Sequence, residues 1–387
     1  MTFGTFPVLL LLAVLQCSFA AFVTTTNSSF LYKGKEIFFS GANLAWVSYG
    51  NDFGNNRYNS STRTKIQSYV DDISLRGGGN SIRVWLFVEG SNIPEFASNG
   101  TVVSTDEKNS LVSDVKQFAQ YAASKNVFVI LCLWNGALMR EKKMKGLFYS
   151  DTKLASFIKN ALTPLVRGLV DEAGIAAYEI INEPEGSLNV NTVNATEKCF
   201  DTKSVLLNSG AGWAGANIRI ERMQRFINWQ ASAIKEADAN ALVTVGAWSE
   251  YSSTNVVLEE GRRFFNYWSD ECLVKAGRKP KGILNFYQIH TYASAGTGRF
   301  SKGSPFNVKG PGAYQLDKPV LIGEFSERKC LLQGCTIKSL YSSALEKQFG
   351  GVLDWSLIGG DGNDDEKVAI QGMRKIRGSS KVIVRID

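Results

Sequence analysis

A chain of 387 residues that is 44% hydrophobic and 20% charged has ordinary globular composition and enough length for an extensive core. Its net charge of +7 comes from scattered basic residues with one dense cluster, Arg140 to Lys145, so the basic stripe of a nucleic-acid surface is missing and no nucleic-acid partner is expected. A single histidine excludes a zinc site built on several imidazoles, and no Gly-x-Ser-x-Gly elbow supports a serine hydrolase.

In chain order, residues 1–20 carry no charged side chain, and Val8 to Leu15 form a short apolar run before Ser18-Phe19-Ala20. That run is too short to cross a bilayer and is followed by small residues, which predicts a signal peptide cleaved after Ala20 and a secreted product with no membrane anchor. Residues 21–387 show no composition break or linker, so they are expected to form one domain.

Strands are predicted at Ile37–Asn43, Ser81–Phe87, Val127–Trp134, Ala176–Asn182, Leu242–Ala247, Asn285–His290, Val320–Glu324 and Gly351–Trp355. Helical spacing of apolar residues marks Thr62–Leu75, Leu111–Ser124, Leu154–Val170, Ile218–Ala237 and Ile337–Gln348 between them. Strands alternating with helices imply parallel β-α units closed into a (β/α)8 TIM barrel. An open doubly wound sheet would carry a Gly-rich phosphate loop after its first strand, and Gly41-Ala42-Asn43-Leu44 is not one.

In such a barrel the reactive side chains leave the C-terminal strand ends. Those ends carry Asn43, Arg83, Trp134, Asn182-Glu183, Trp248, His290-Thr-Tyr292, Glu324 and Trp355. Two carboxylates at the fourth and seventh ends face each other across the mouth, the pair that glycoside hydrolysis needs. Arg83 is placed to keep Glu324 ionised, Asn182 to bind a sugar hydroxyl and Trp355 to underlie a ring. Trp134, His290 and Tyr292 complete the candidate substrate-binding set.

Of the six cysteines, Cys17 falls in the signal segment and Cys132 in an apolar run, which leaves Cys199, Cys272, Cys330 and Cys335. Four cysteines allow three pairings; the closeness of Cys330 and Cys335 favours their bond and, with it, Cys199–Cys272. Sequons at Asn27, Asn59, Asn99 and Asn194 fit an exported chain. The acidic run Asp361 to Glu366 lacks EF-hand spacing and reads as a solvated loop capping the last helix. Trp213, Trp229 and Trp268 read as packing residues.

The strand-end residues resemble those of glycoside hydrolase family 5. Its pattern is carried by Arg83 in Ile-Arg-Val-Trp, Asn182-Glu183-Pro184, His290-Thr-Tyr292, Glu324 in Ile-Gly-Glu-Phe, and Trp355 in Leu-Asp-Trp-Ser. The resemblance implies Glu183 as acid/base and Glu324 as nucleophile, with Arg83, Asn182, His290, Tyr292 and Trp355 lining the cleavage subsite. Ser40 to Gly54 and Leu133-Trp-Asn-Gly-Ala137 are similar to animal, mollusc-type endo-β-1,4-mannanases. One departure is Trp134-Asn135, where many members carry a histidine. The expectation is a monomeric, retaining enzyme acting on mannan, glucomannan or galactomannan without cofactor or metal. Its rivals are a β-1,4-glucanase, a non-catalytic polysaccharide-binding barrel and a secreted structural glycoprotein.

Overall fold

The computed structural model describes residues 21–360 and 363–387. The expected signal peptide, residues 1–20, and Asp361 and Gly362 of the acidic loop lie outside the described residues.

Runs that are buried on both faces become parallel strands, because only a layer of helices outside and side chains inside can cover them. They are β1 (Phe39–Asn43), β2 (Ser81–Val88), β3 (Phe128–Asn135), β4 (Ile175–Asn182), β5 (Val243–Ala247), β6 (Tyr287–His290), β7 (Val320–Glu324) and β8 (Gly351–Asp354). Each pairs in parallel with the next, and β8 closes on β1 through Gly351 opposite Phe39, making the expected eight-stranded barrel.

The helical layer follows the apolar spacing, with differences at its ends. The first helix spans Ser60–Asp71, N-capped by the Asn59 side chain, and runs on into a wider π-type turn at Asp72–Gly77. Leu111–Ser124 is as expected, and Ile220–Ala237 begins two residues late. The segment expected at 154–170 is two helices, Asp151–Phe157 and Thr163–Gly168, joined by π-type turns at Ile158–Leu162. Ile337–Glu346 starts with a capping box between Thr336 and Ser339. Helices at Lys142–Tyr149 and Asp270–Gly277 were not anticipated.

A small antiparallel sheet, Val23–Thr25, Phe30–Tyr32 and Lys35–Ile37, was also not anticipated. Its Phe30 is fully buried, with ring centroids 4.9 Å from both Phe39 and Phe286, and Tyr32 packs on Phe128. These partners lie at the N-terminal ends of the barrel strands, so the sheet plugs the end opposite the expected site.

Cys199 is bonded to Cys272, which ties the long excursion after β4 to the helix Asp270–Gly277, and Cys330 is bonded to Cys335 in the loop after β7. Cys132 is a buried free thiol. The acidic loop departs from a solvated one: Asp365 caps the helix Glu366–Ile376, but Asp364 is fully buried and accepts the backbone N–H groups of Glu327 and Arg328.

Candidate active site

Two irregularities in the strands set the geometry. Along β4, Thr244 lies opposite Glu179 while Gly246 lies opposite Asn182, so β4 carries one extra residue. Along β7, Ile289 lies opposite Ile322 but His290 lies opposite Glu324, so Gly323 is the extra one. Such bulges re-aim the side chains that follow them. Glu183, just past β4, has the left-handed backbone φ 42° and ψ 58°, uncommon for a non-glycine residue and doubly so before a proline. Its N–H donates to the Gly246 carbonyl at 2.7 Å, which fixes the turn.

Arg83 on β2 is fully buried and has all its donors occupied. Nε and Nη2 grip Glu179 in a fork, both at 2.6 Å. Nη1 reaches Asn43 and Glu324 at 2.8 Å each, and Nη2 also reaches Asn182 at 2.8 Å. Glu179, not singled out from sequence, is the missing counter-charge. Burial works against its ionisation, yet the Arg83 guanidinium holds its carboxyl below the usual value. Gln288 Nε2 adds a donor to it at 2.7 Å. A glutamate inside a strand buried on both faces was the available signal. Gly246 leaves room for this floor: a Cβ there would stand 2.5 Å from Glu179 Oε1 and 2.9 Å from His290 Nε2.

Above the floor, Glu183, His290 and Glu324 meet. One carboxylate oxygen of each glutamate and a ring nitrogen of His290 all lie within 4.8 Å of one another. His290 Nδ1 is 3.0 Å from Glu183 Oε1 and 3.4 Å from Glu324 Oε2, and the Tyr292 hydroxyl donates to Glu324 Oε2 at 2.8 Å. Burial lowers the His290 pKa to about 4, so a neutral ring stands between the two carboxyls.

Burial lifts the Glu183 carboxyl to about 7. Burial also raises Glu324, but His290, Arg83 and the Tyr292 hydroxyl oppose it, so its ionised form has the better support. A pair in which one carboxyl has neighbours that support its ionised form and the other does not is suited to divide into an anion and an acid. Among the described residues this trio is also the one set whose donors suit a metal ion, although Arg83 already supplies positive charge beside Glu324.

Trp134 is a correction. It is fully buried on the outer side of the barrel, packed on Phe87, Phe157 and Phe226, with Nε1 donating to Gln230. Its ring faces the helical layer, and the next residue, Asn135, faces the barrel mouth instead. Asn135 accepts from Asn182 Nδ2 at 3.2 Å and donates to Glu89 and Tyr49. Trp355 is half-buried beside Trp85 and Trp46, at 5.7 and 6.0 Å between ring centroids.

On the opposite side of the mouth, a cavity of about 570 Å³ runs from His290 and Tyr292 past Trp248 to Tyr251 and Arg299. Trp213 is 43% exposed and stands 5.4 Å from the Trp248 ring, so it is not the packing residue expected, whereas Trp229 and Trp268 are. Behind them the buried Glu185 accepts from Trp248 N, Trp268 Nε1 and the Ser252 hydroxyl, joining the turn after β4 to the loop after β5.

Residues 40–336 match the family described as Cellulase (glycosyl hydrolase family 5). The chain belongs to glycosyl hydrolase family 5. It is 40% identical over 378 residues to a mannan endo-1,4-beta-mannosidase of Cryptopygus antarcticus, covering 97% of this chain and 95% of that one. It is also 40% identical to a mannan endo-1,4-beta-mannosidase of Mytilus edulis, over 89% of this chain and 90% of that protein. The crystal structure of the Cryptopygus antarcticus beta-1,4-D-mannanase superposes with a TM-score of 0.88 over 95% of this chain and 99% of that one. That of the Aplysia kurodai beta-1,4-mannanase gives 0.86 at 33% identity, over 94% of this chain and all of that chain.

Proposed function

We propose that this family 5 barrel is an endo-β-1,4-mannanase that cleaves internal linkages of mannan with retention of anomeric configuration. The observation that carries the reading is the convergence of Glu183 and Glu324, with carboxylate oxygens within 4.8 Å. Retaining glycosidases hold their carboxyl groups about 5–5.5 Å apart, whereas inverting ones need about 6.5–9.5 Å to admit a water.

Glu183, protonated up to about pH 7, donates its proton to the leaving oxygen as Glu324 attacks the anomeric carbon. The water oxygen then attacks the anomeric carbon as Glu183 takes its proton, and the glycosyl–Glu324 bond breaks to release the carboxylate. Arg83 and Tyr292 hold the attacking carboxylate in place, His290 bridges the pair, Asn182 lies within reach of the ring and Trp355 lies beneath it. The choice of mannan follows relatives 40% identical along nearly the whole chain. Two disulfides suit an oxidising, extracellular setting. No described helix is long and apolar enough to cross a membrane.

The test is reducing-sugar release from mannan and from carboxymethylcellulose, with Glu324→Ala as control. Mannan is the expected substrate; release from carboxymethylcellulose alone makes the enzyme a glucanase, and binding without release makes it a lectin-like barrel. Dialysis against EDTA is expected to leave the rate unchanged.

A further inference from the structure

One polar cluster at the barrel mouth has no part in the bond cleavage just described. Glu89 follows β2, Tyr49 lies in the loop after β1, and Asn135 ends β3. Glu89 is 4% exposed, and its Oε1 accepts both the Tyr49 hydroxyl and Asn135 Nδ2, the latter at 2.8 Å. Asn135 Nδ2 also lies 2.9 Å from the Tyr49 oxygen, closing a triangle. No described residue donates to Glu89 Oε2, and that atom is not among the sealed, unpartnered polar atoms of the interior.

A nearly buried carboxylate is costly unless something uses it. No lysine or arginine among the described residues is within ion-pair distance of Glu89; burial raises its pKa, and the hydrogen bonds from Tyr49 and Asn135 and the more distant Arg140 oppose that rise. Its two donors both point at one oxygen, which fixes the side chain and leaves the other oxygen free. The cluster is continuous with the reacting pair: Asn135 accepts from Asn182, whose own oxygen rests on Arg83, and Arg83 holds Glu324. Beside it stands an aromatic wall, with Trp46 against Tyr49 at 4.8 Å, Trp85 at 5.3 Å and Trp355 at 6.0 Å. An acceptor held rigidly next to aromatic rings is the chemistry that recognises a sugar, whose hydroxyls donate while its C–H face packs on the rings.

We propose that Glu89, presented by Tyr49 and Asn135, is a specificity-determining residue that accepts hydroxyl protons from a sugar ring bound over β1–β3, next to the ring being cleaved. The proposal rests on the glycosidase reading of the mouth and adds the residue that selects its neighbouring ring. A fixed carboxylate there favours neutral hexoses and disfavours uronic acids, which bring a like charge.

Glu89→Gln tests it, because the amide oxygen still accepts from Tyr49 and Asn135 while the free acceptor becomes a donor. With mannopentaose, kcat/KM is expected to fall about 10- to 100-fold, mostly through KM, with a shifted choice of bond in the product mixture and an unchanged Tm. Tyr49→Phe, which removes only the hydroxyl that orients Glu89, is expected to move KM and products the same way by less. A fall in kcat with KM and products unchanged, or no change in either variant, overturns the proposal. Should the wild type cut cellopentaose and not mannopentaose, the mannan reading fails and the same comparison is made on cellopentaose.

Discussion

Glu183 and Glu324 are the same residue type on the same rim, and their different neighbours suit them to the different roles proposed for them. Glu324 receives Arg83 and Tyr292, whereas among the described residues Glu183 has only the neutral His290 within hydrogen-bond distance. Glu183→Ala is therefore expected to lower kcat on mannan about 10²- to 10⁴-fold, the usual worth of a placed general acid. Aryl mannosides with good leaving groups should lose less, since they need little protonation; equal losses would remove Glu183 from that role. The raised pKa also has a cost in stability. A carboxyl lifted from 4.5 to about 7 holds its proton better folded than unfolded, so it costs nothing below pH 4.5 and destabilises increasingly as pH rises towards 7. Glu183→Gln removes that burden. The inactive variant should match the wild type in urea unfolding at pH 4 and exceed it by up to about 3 kcal/mol at pH 8.

At the scale of elements, what the sequence concealed was local irregularity. All eight predicted strands end within one residue of the observed end, and β7 matches at both ends, because apolar runs bounded by Gly, Asn or Pro are easy to delimit. The carboxylates and Arg83 were legible for the same reason, standing at those ends. The facing of a residue near a bulge was not, because one extra residue inverts the alternation that sequence reading relies on. Trp134 is read into the cleft as the end of its predicted strand, but the strand runs one residue further and Asn135 is the one that faces the mouth, while Glu89 carries no signal in the sequence. Trp134→Phe is accordingly expected to keep KM for mannan while losing about 1–2 kcal/mol of stability with its hydrogen bond to Gln230. The plug was missed because strands of three residues show too little pattern to read. Phe30→Ala should cost about 3–5 kcal/mol in urea unfolding, with the site at the far end of the barrel keeping its KM.

For the whole molecule, the barrel supplies a rigid rim, the loop after β6 lines much of the cavity around Trp248, and the loops after β4 and β5 meet beside it. Those loops are joined by Cys199–Cys272, which spans 73 residues of sequence, and by Glu185. Closing a loop of that length removes unfolded-state freedom worth about 4 kcal/mol in the chain-entropy account. The double variant Cys199→Ser, Cys272→Ser should lower Tm and raise KM for long mannans while the reactivity of Glu324 towards a small covalent inactivator stays the same. A loss of that reactivity would show that the disulfide supports the catalytic pair itself.

The saturated guanidinium of Arg83 bears on how the catalyst can be redirected towards synthesis. Its fork on Glu179 does not depend on Glu324, so deleting the Glu324 carboxylate leaves a buried pair that is already neutral. In Glu324→Gly the space below the anomeric carbon then stands open without an orphaned charge to collapse it, and Glu183 remains above to act as base. Such a chain is suited to accept an α-mannosyl fluoride and pass its sugar to the end of another glycan, building the linkage that the intact protein cuts.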